Sequence, residues 1–595
     1  MRMLAQTLAP FLLTAALPAL AQQAADAVAP EDGAAPAQAA EAATLVPEAP
    51  DPATASDWMV AAANPLAVEA GARVLREGGS AADAMVAVQA VLGLVEPQSS
   101  GLGGGAFLVW YDAASGELTT LDGRETAPMA ATPLLFQTEG EKLGFWDAVV
   151  GGLSVGTPGT PMLMEEAHRR WGRSNWAGLF EEAIALARDG FEVSPRLEAS
   201  IAGREERLRT FPATEAYFFP GGTALAAGDT LSNPAYADTL RGMALRGSRA
   251  FYAGAVAEGI VATVRGAEGN PGLLSMDDLA AYEVVERPAV CAPYRGAEVC
   301  GMGPPSSGGL TVGQILAMIE PYDVAAMGPD SPEAWRLIGD ASRLAFADRG
   351  LYMADSDFVP MPDLLDPGYL SQRATLLEGD DALPEVAAGT PPWDHAALDA
   401  VPALIPGWSP EMPSTSHISI VHGDGNALSM TTTIEGAFGS QLMAPGGFLL
   451  NNELTDFSFG THDDGRPIAN RVEPGKRPRS SMAPTIVMRD GAPVLVVGSP
   501  GGSRIIGYVA KTIVAHLDWG MDPQAAVSMP HLVNRFGTYD LEDGTAAAGL
   551  EAPLAELGFE TNLRDLNSGL HAIAITPDGL VGGADPRREG VALGE

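Results

Sequence analysis

Cysteine and histidine are scarce in this chain, which contains two cysteines and eight histidines among 595 residues. No Cys-x-x-Cys pair and no histidine spacing typical of a zinc site is present, so the sequence predicts no metal site. The two cysteines, Cys291 and Cys300, flank a Tyr-Arg-Gly-Ala turn. In an exported protein this spacing predicts a disulfide, and two buried thiols are the alternative.

Basic residues are also few, because 35 Lys and Arg stand against 75 Asp and Glu and give a formal net charge of −40. Nucleic acids and anionic membranes are bound through basic surfaces, so neither is expected as a partner. Aromatic residues make up only 6% of the chain, but 46% of residues are hydrophobic, which is enough for a large core. The acidity does not identify a substrate.

Long hydrophobic runs are absent except near the N-terminus. Arg2 precedes a short apolar run from Leu8 to Leu20, and Ala19-Leu-Ala21 fits a small-x-small cleavage site. We therefore predict a signal peptide at residues 1–21, export to the periplasm or the exterior, and no stable membrane anchor. Residues 22–58 are rich in Ala, Pro and acidic residues and predict a disordered leader, so the globular part is expected to begin near Met59.

A predicted β-hairpin in the C-terminal third contains the residues on which the functional prediction depends. Apolar and small polar residues alternate on both sides of the turn Gly423-Asp-Gly-Asn426, and the first strand begins directly after Thr415. The preceding segment, residues 405–414, contains three prolines. This composition predicts an exposed loop at which the chain can be cut.

Thr415 has a chemical use if the chain is cut between Ser414 and Thr415. The new α-amine would have a pKa of roughly 7.7–8.0. It would serve as a general base on the same residue as the hydroxyl nucleophile. Taken alone, however, the pattern favours the simpler interpretation, in which Thr415 merely starts a strand.

Two short motifs point to other chemistry but lack the context that this chemistry needs. Gly101, Gly103 and Ala106 fit the dinucleotide pattern G-x-G-x-x-A, but a helix precedes them and a strand follows, which is the reverse of the required order. We expect these glycines to allow close backbone packing. Gly152-Leu-Ser-Val-Gly156 fits G-x-S-x-G and makes Ser154 a second candidate nucleophile, although no helix follows it directly.

Three charged residues are candidates for binding an amino acid. Arg124 follows a predicted strand, and its guanidinium can bind a carboxylate through two hydrogen bonds. Glu453 and Asp456 are three positions apart and can hold an ammonium group. The simpler alternatives are a surface ion pair for Arg124 and a solvated turn for the two acids.

Two small-residue pairs complete the set. Ser480 and Ser481 precede a predicted strand. Gly501 and Gly502 lie between a strand and a helix, where exposed backbone N–H groups suit an oxyanion. A plain strand-to-helix turn is the alternative.

Together these segments resemble the γ-glutamyltransferase (γ-glutamyltranspeptidase) family of N-terminal nucleophile hydrolases, from about residue 59 to the C-terminus. The matching segments are Asp122-Gly-Arg-Glu, Thr415-Ser-His-Ile-Ser, Asp424-Gly-Asn-Ala, Leu449-Leu-Asn-Asn-Glu, Asp456-Phe-Ser, Lys476-Arg-Pro-Arg-Ser-Ser-Met-Ala-Pro-Thr485, Gly498-Ser-Pro-Gly-Gly-Ser-Arg504 and Asp585-Pro-Arg587. So many matches in the same order are far more specific than any single motif.

The resemblance implies an α/β (α+β) fold with four αββα layers, made as a precursor that cleaves itself. The large subunit would span residues 59–414 and the small subunit residues 415–595. Thr415 would attack γ-glutamyl amides such as glutathione without a cofactor. The implied roles of the other residues are Thr433 as hydrogen-bond partner of the nucleophile, Arg124, Ser480 and Ser481 at the α-carboxylate, Glu435, Glu453 and Asp456 at the α-amine, and Gly501 and Gly502 as oxyanion hole.

The sequence departs from the family pattern in three places. Ser416 replaces the second Thr of the usual Thr-Thr-His, and Glu435 stands where many members have Asn, which adds negative charge. The segment between Ser458 and Lys476 is shorter than in members with a lid over the pocket. Cephalosporin acylases share much of the pattern, so a glutaryl-type amidase is an alternative, as are a non-cleaving pseudoenzyme and a Ser154 esterase.

Overall fold

The computed structural model describes residues 49–393, 403–407, 409, 411–463 and 465–595. The predicted signal peptide and most of the predicted leader lie outside these residues. The fold contains two seven-stranded antiparallel sheets. The strand order of sheet 1 is Val591–Gly594, Met59–Ala62, Ser416–Val421, Ala427–Thr433, Gly105–Asp112, Glu117–Gly123, Val285–Pro288. The strand order of sheet 2 is Ala53–Ala55, Gly579–Ala584, His571–Thr576, Ala492–Gly498, Thr485–Arg489, Ala297–Gly301, Val290–Tyr294.

Helices cover the outer face of each sheet. Those that share a core with sheet 1 include Pro65–Arg76, Ala81–Val95, Thr160–Trp171, Glu181–Asp189, Pro195–Gly203, Pro234–Arg246 and Ala255–Arg265. Those that share a core with sheet 2 include Gly308–Ile319, Pro332–Tyr352, Pro367–Ala374, Ile505–Leu517, Pro523–Ser528 and Glu551–Glu556. The helix Ala81–Val95 is buried along its whole length, as its uniformly apolar sequence predicts.

Shorter elements connect these layers. The remaining helices are Phe145–Val149, Glu205–Leu208, Pro212–Phe218, Arg249–Tyr252, Met276–Ala281 and Val324–Met327. The 3₁₀ turns are Gly152–Ser154, Trp176–Phe180, Pro220–Gly222, Thr375–Leu377, Glu453–Asp456, Gly502–Arg504 and Ala546–Leu550. The small sheets pair Gln137–Thr138 with Glu141–Lys142, Phe191–Glu192 with Thr230–Leu231, His462–Asp463 with Arg466–Pro467, and Leu532–Asn534 with Thr538–Glu542 and Glu560–Arg564.

Three separate hydrophobic clusters define four layers. One cluster joins sheet 1 to its helices, and a second joins sheet 2 to its helices. The third fills the space between the sheets with residues such as Met59, Val109, Ile486 and Val496. Because strand side chains alternate between two faces, each sheet supplies one face to a helical layer and the other to the middle cluster. The predicted αββα fold is confirmed.

The folded part begins earlier than the sequence predicted. Ala53–Ala55 forms the edge strand of sheet 2 and pairs with residues 580–582. The amides of residues 56–58 donate hydrogen bonds to the Glu595 carbonyl. The boundary at residue 58 was therefore wrong, because a short strand that pairs with the far end of the chain has no local compositional signal.

The two cysteines lie opposite each other in the hairpin Val290–Tyr294 and Ala297–Gly301. The antiparallel register pairs Cys291 with Cys300. The structure joins their sulfur atoms in a disulfide, with a Cα–Cα distance of 4.0 Å.

Glycines after the buried helix bring three chain segments into contact, as expected. A Cβ atom on Gly103 would lie 2.0 Å from the Leu449 carbonyl oxygen. A Cβ atom on Gly104 would lie 1.9 Å from the Thr433 carbonyl oxygen. A larger side chain therefore cannot enter at either position without moving the backbone.

We expect Gly104→Ala to destabilise the protein by about 1–3 kcal/mol, because the new methyl group must displace the strand that ends at Thr433. Denaturant unfolding measures this loss. Gly549→Ala is the matched control, since a Cβ there meets no atom within 4 Å. Equal stability of the two variants would contradict the close contact.

Candidate active site

Thr415 and Thr433 face each other at one end of the central hairpin of sheet 1. Ser416 pairs with Thr432 in the antiparallel register, so the next pair outward is Thr415 and Thr433. Their hydroxyl oxygens are 3.0 Å apart. The Thr433 oxygen also accepts a hydrogen bond from the Glu435 amide at 2.8 Å. The turn and the register of the hairpin thus place the second hydroxyl beside the candidate nucleophile.

The chain is continuous through Ser414 and Thr415, and the candidate cut site is buried, with exposed fractions of 0% and 4%. The Ser414 hydroxyl donates to the Gln98 carbonyl at 2.8 Å, and the Arg588 guanidinium donates to the Thr415 carbonyl at 2.9 Å. The prediction of an exposed cut site was therefore wrong. The three prolines before the cut site indicate a segment without helix or strand. Such a segment can still be buried against other parts of the chain, as Ser414 and Thr415 are.

The backbone of Thr415 adopts an unfavourable conformation, with φ = 107°. A β-branched residue rarely takes a positive φ, and such conformations cost about 1–3 kcal/mol. The strain therefore lies at the peptide bond that the sequence analysis predicts to be cut.

His417 lies close to Thr415 in sequence but bonds to other groups. Its ring nitrogens are 2.9 Å from the Thr431 hydroxyl and 3.0 Å from the Ser419 hydroxyl. Burial, followed by the nearby His571, holds the pKa of His417 well below its ordinary value. The imidazole is neutral near pH 7 and is not placed to take a proton from Thr415.

A buried arginine lies between two buried carboxyl groups. Arg124 forms ion pairs with Glu453 and Asp456, and its Nε donates to the Pro478 carbonyl at 3.2 Å. Burial disfavours the charged guanidinium, but the two acids raise the pKa of Arg124. Burial also raises the pKa of both acids, although Arg124 opposes this shift. One cation thus serves two acids.

Glu435 adds a third carboxyl group to this region. It accepts hydrogen bonds from the Met412 amide, at 2.7 Å, and from the Asn452 side chain. Burial, followed by the charge of Glu453, raises the pKa of Glu435 to about 8. Glu435, Glu453 and Asp456 therefore outnumber the Arg124 cation.

Ser481 lies beside a second buried arginine, Arg349, which belongs to none of the predicted motifs. Arg349 donates to the Ser481 hydroxyl at 2.7 Å and to the Ser307 hydroxyl at 2.8 Å, and it forms an ion pair with Glu411. Ser480 accepts a hydrogen bond from the Met482 amide at 3.1 Å. No sequence motif marks Arg349, because its partners are 42 or more positions away in the sequence.

Gly501 and Gly502 have positive φ values of 136° and 58° and precede the helix Ile505–Leu517. A Cβ atom on Gly502 would lie 2.8 Å from the carbonyl oxygens of Glu411 and Met412. Within the described chain, neither glycine amide donates a backbone hydrogen bond. Both N–H groups can therefore serve an incoming oxygen.

One cavity brings most of these residues together. The predicted residues that line it are Arg124, Thr415, Thr433, Glu435, Glu453, Asp456, Ser480, Ser481 and Gly502. Four lining residues were not predicted: Glu411, Met412, Met482 and Ile505. Glu125 lies outside the lining as a further buried carboxyl, and burial, followed by Glu453, raises its pKa well above the ordinary value. Gly501 is adjacent to the lining rather than part of it.

Ser154 does not fit the role of a nucleophile. It is fully buried outside the cavity, and its hydroxyl donates to the Val149 carbonyl at 2.7 Å. None of the described residues between Ser458 and Lys476 lines the cavity. In the described ranges no group of three or more His, Cys, Asp or Glu is placed to hold a metal ion. No helix there is long and apolar enough to cross a membrane.

Comparison with known proteins identifies the family. The sequence model of gamma-glutamyltranspeptidase matches residues 67–595, which include every residue that lines the cavity. The chain belongs to the γ-glutamyltranspeptidase family. The resemblance inferred from the sequence is confirmed, and the protein is an enzyme of the N-terminal nucleophile hydrolase type.

Relatives of this γ-glutamyltranspeptidase-family enzyme include hydrolases and acylases. A glutathione hydrolase proenzyme of Bacillus subtilis (strain 168) is 37% identical over 549 residues, which cover 90% of this chain and 91% of the relative. An acylase ACY 1 proenzyme of Pseudomonas sp. (strain V22) is 33% identical over 543 residues, which cover 90% of this chain and 92% of the relative. The crystal structure of cephalosporin acylase from Bacillus halodurans has a TM-score of 0.81 at 25% identity and covers 92% of this chain and 98% of that one.

The raised pKa of Glu435 predicts a pH-dependent stability. This carboxyl group binds its proton more tightly in the folded chain than in the unfolded chain, where its pKa is near 4.5. Its contribution to stability is therefore complete below pH 4.5 and is lost as the pH rises towards 8. We expect Glu435→Gln to weaken the fall in unfolding free energy over this range, as measured by denaturant titration.

The exposed Glu117→Gln is the control for this experiment, because it removes a carboxyl group that is not buried. An unchanged pH profile for Glu435→Gln would show that Glu435 is ionised throughout.

Proposed function

We propose that this protein is a self-processing γ-glutamyl transferase and hydrolase. It would cleave the γ-glutamyl amide of glutathione and related compounds and pass the glutamyl group to water, amino acids or peptides. The arrangement that supports this most directly is the Thr415 hydroxyl, 3.0 Å from Thr433, in a cavity that also contains Arg124, Glu453 and Asp456. Groups for both ends of an amino acid thus surround the nucleophile.

Maturation would begin inside the folded chain. Thr415 Oγ attacks the Ser414 carbonyl carbon, its proton passes to the departing Thr415 nitrogen, and the acyl group moves from nitrogen to oxygen. Water then hydrolyses the ester and releases a Ser414 carboxylate and a free Thr415 amine. The positive φ of Thr415 favours this shift, because loss of the peptide bond relieves the strain. Burial of Ser414 agrees with self-cleavage, since a separate protease could not reach the bond.

Turnover would use the new amine as the base. The amine has a pKa of roughly 7.7–8.0 and accepts the hydroxyl proton of its own residue. The oxygen attacks the γ-carbonyl carbon of the donor, and the N–H groups of Gly501 and Gly502 stabilise the oxyanion. The leaving amine takes the proton, and water or an acceptor amine then cleaves the glutamyl ester. Thr433 holds the nucleophile in place.

The charge of the cavity favours a γ-glutamyl group over a glutaryl group. Glu435, Glu453 and Asp456 all line the cavity, whereas Arg124 is the cation that pairs with two of them. A γ-glutamyl donor brings an ammonium group that offsets this excess of acids. A glutaryl group brings a carboxylate but no ammonium group, so it leaves these acids without the positively charged partner that a γ-glutamyl donor supplies.

We expect the wild-type protein to be isolated as two pieces, the smaller beginning Thr-Ser-His-Ile, and Thr415→Ala to remain whole. Intact mass and N-terminal sequencing decide this. Ser154→Ala is the control and should be cut like the wild type, because its hydroxyl lies outside the cavity. A wild-type chain that stays whole after folding would favour the pseudoenzyme.

We expect kcat/KM for γ-glutamyl p-nitroanilide to exceed that for glutaryl p-nitroanilide by at least about tenfold, since a hydrogen bond to a charged group contributes about 1.5–3 kcal/mol. Asp456→Asn should narrow this ratio, whereas Asp277→Asn, at an exposed site, should not. Equal or greater activity on the glutaryl amide would favour the acylase alternative.

A further inference from the structure

In the uncleaved chain, Glu411 and Met412 form part of the lining of the cavity. The Glu411 carboxylate pairs with Arg349, whose guanidinium also donates to the Ser481 hydroxyl at 2.7 Å. The Met412 amide donates to the Glu435 carboxylate at 2.7 Å. The carbonyl oxygens of both residues lie over Gly502, with no room for a Cβ atom between them.

These contacts match what a γ-glutamyl donor would offer. Such a donor has an α-carboxylate and an α-ammonium that donates hydrogen bonds. Glu411 supplies a carboxylate beside Ser481, a residue expected at the donor carboxylate. Met412 supplies an N–H group to Glu435, a residue expected at the donor amine. The segment therefore presents both groups of the donor to the surfaces that would receive them.

Arg124 and Arg349 differ in whether their carboxylate partners would stay in place after the chain is cut. Arg124 pairs with Glu453 and Asp456, and both acids would remain in the cavity after a cut between Ser414 and Thr415. Arg349 has Glu411 as its anionic partner among the described residues, and its other side-chain partners are neutral hydroxyl groups. When Glu411 moves away, Arg349 is left as a buried cation that needs an anion.

A third guanidinium strengthens this local positive charge. Arg479 is buried and donates to the Arg349 backbone carbonyl at 3.0 Å. Burial, followed by the charge of Arg349, lowers the pKa of Arg479 to about 9. An anion beside Ser481 is therefore favoured by two arginines rather than one.

We propose that Arg349 is a substrate-binding residue that holds the α-carboxylate of the donor in the mature enzyme, and that Glu411 occupies this carboxylate subsite until the chain is cut. This inference rests on the proposed γ-glutamyl function. It assigns to Arg349 a role that the sequence motifs gave to Arg124 and the two serines.

The test compares two donors on mature Arg349→Gln. For γ-glutamyl p-nitroanilide, KM should rise by about 10- to 100-fold, the range for loss of a hydrogen bond to a charged group, with a smaller change in kcat. For 4-aminobutanoyl p-nitroanilide, which lacks the α-carboxylate, the variant and the wild type should have similar KM values. Arg336→Gln is the matched control, since Arg336 is a buried arginine on the same helix that donates to the Leu377 carbonyl at 3.2 Å, whereas Arg349 contacts the lining residues Ser481 and Glu411.

An equal effect on both donors, or no effect on either, would overturn the role of Arg349. If the wild type turned over neither donor, the proposed function itself would fail. The carboxylate subsite would then be tested by measuring the binding of L-glutamine.

Binding also decides the matter if Arg349→Gln does not fold or mature. Calorimetry would compare L-glutamine, a simple γ-glutamyl amide, on uncut Thr415→Ala and on Thr415→Ala with Glu411→Ala. We expect the double variant to bind at least about tenfold more tightly, because the subsite is free. Equal affinity, including no measurable binding by either, would show that Glu411 does not occupy the donor subsite.

Discussion

The antiparallel pairing of Ser416–Val421 with Ala427–Thr433 is the constraint on which the site depends. Its register sets Thr415 opposite Thr433, and a shift of one strand by one residue would turn its threonine to the opposite face of the sheet from the other. The pairing of Ala427–Thr433 with Gly105–Asp112 then leads to Gly104, where only a hydrogen atom fits against the Thr433 carbonyl. Backbone packing thus fixes the nucleophile before any polar contact is made.

The electrostatics of the cavity follow from burial. Burial makes carboxyl groups hold their protons more tightly, and this applies to Glu435 and, although Arg124 opposes the shift, also to Glu453 and Asp456. Such an arrangement is costly in an empty, dry pocket and becomes favourable when an ammonium group enters. Glu435, Glu453 and Asp456 therefore contribute little to the stability of the fold but are suited to bind the ammonium group of an amino acid.

Local alternation predicted the hairpin, whereas the four layers and most of the cavity lining were implied by the resemblance of the ordered motifs to the γ-glutamyltransferase family. Prediction from the sequence failed where the outcome depends on a distant partner. Ala53–Ala55 gains its structure only by pairing with the C-terminal region, and Arg349 gains its position from Ser481 and Glu411. Burial of the cut site was missed for the same reason, since its receiving pocket comes from other segments.

The strand order of the two sheets has a consequence for what a cut at Thr415 can release. In sheet 1 the C-terminal piece supplies an edge strand and the central hairpin, and Met59–Ala62 of the N-terminal piece lies between them. In sheet 2, Ala53–Ala55 of the N-terminal piece closes one edge and Val290–Tyr294 the other, with C-terminal strands between. The two pieces would be interleaved, so they could part only by unzipping both sheets, and dissociation would be the same event as unfolding.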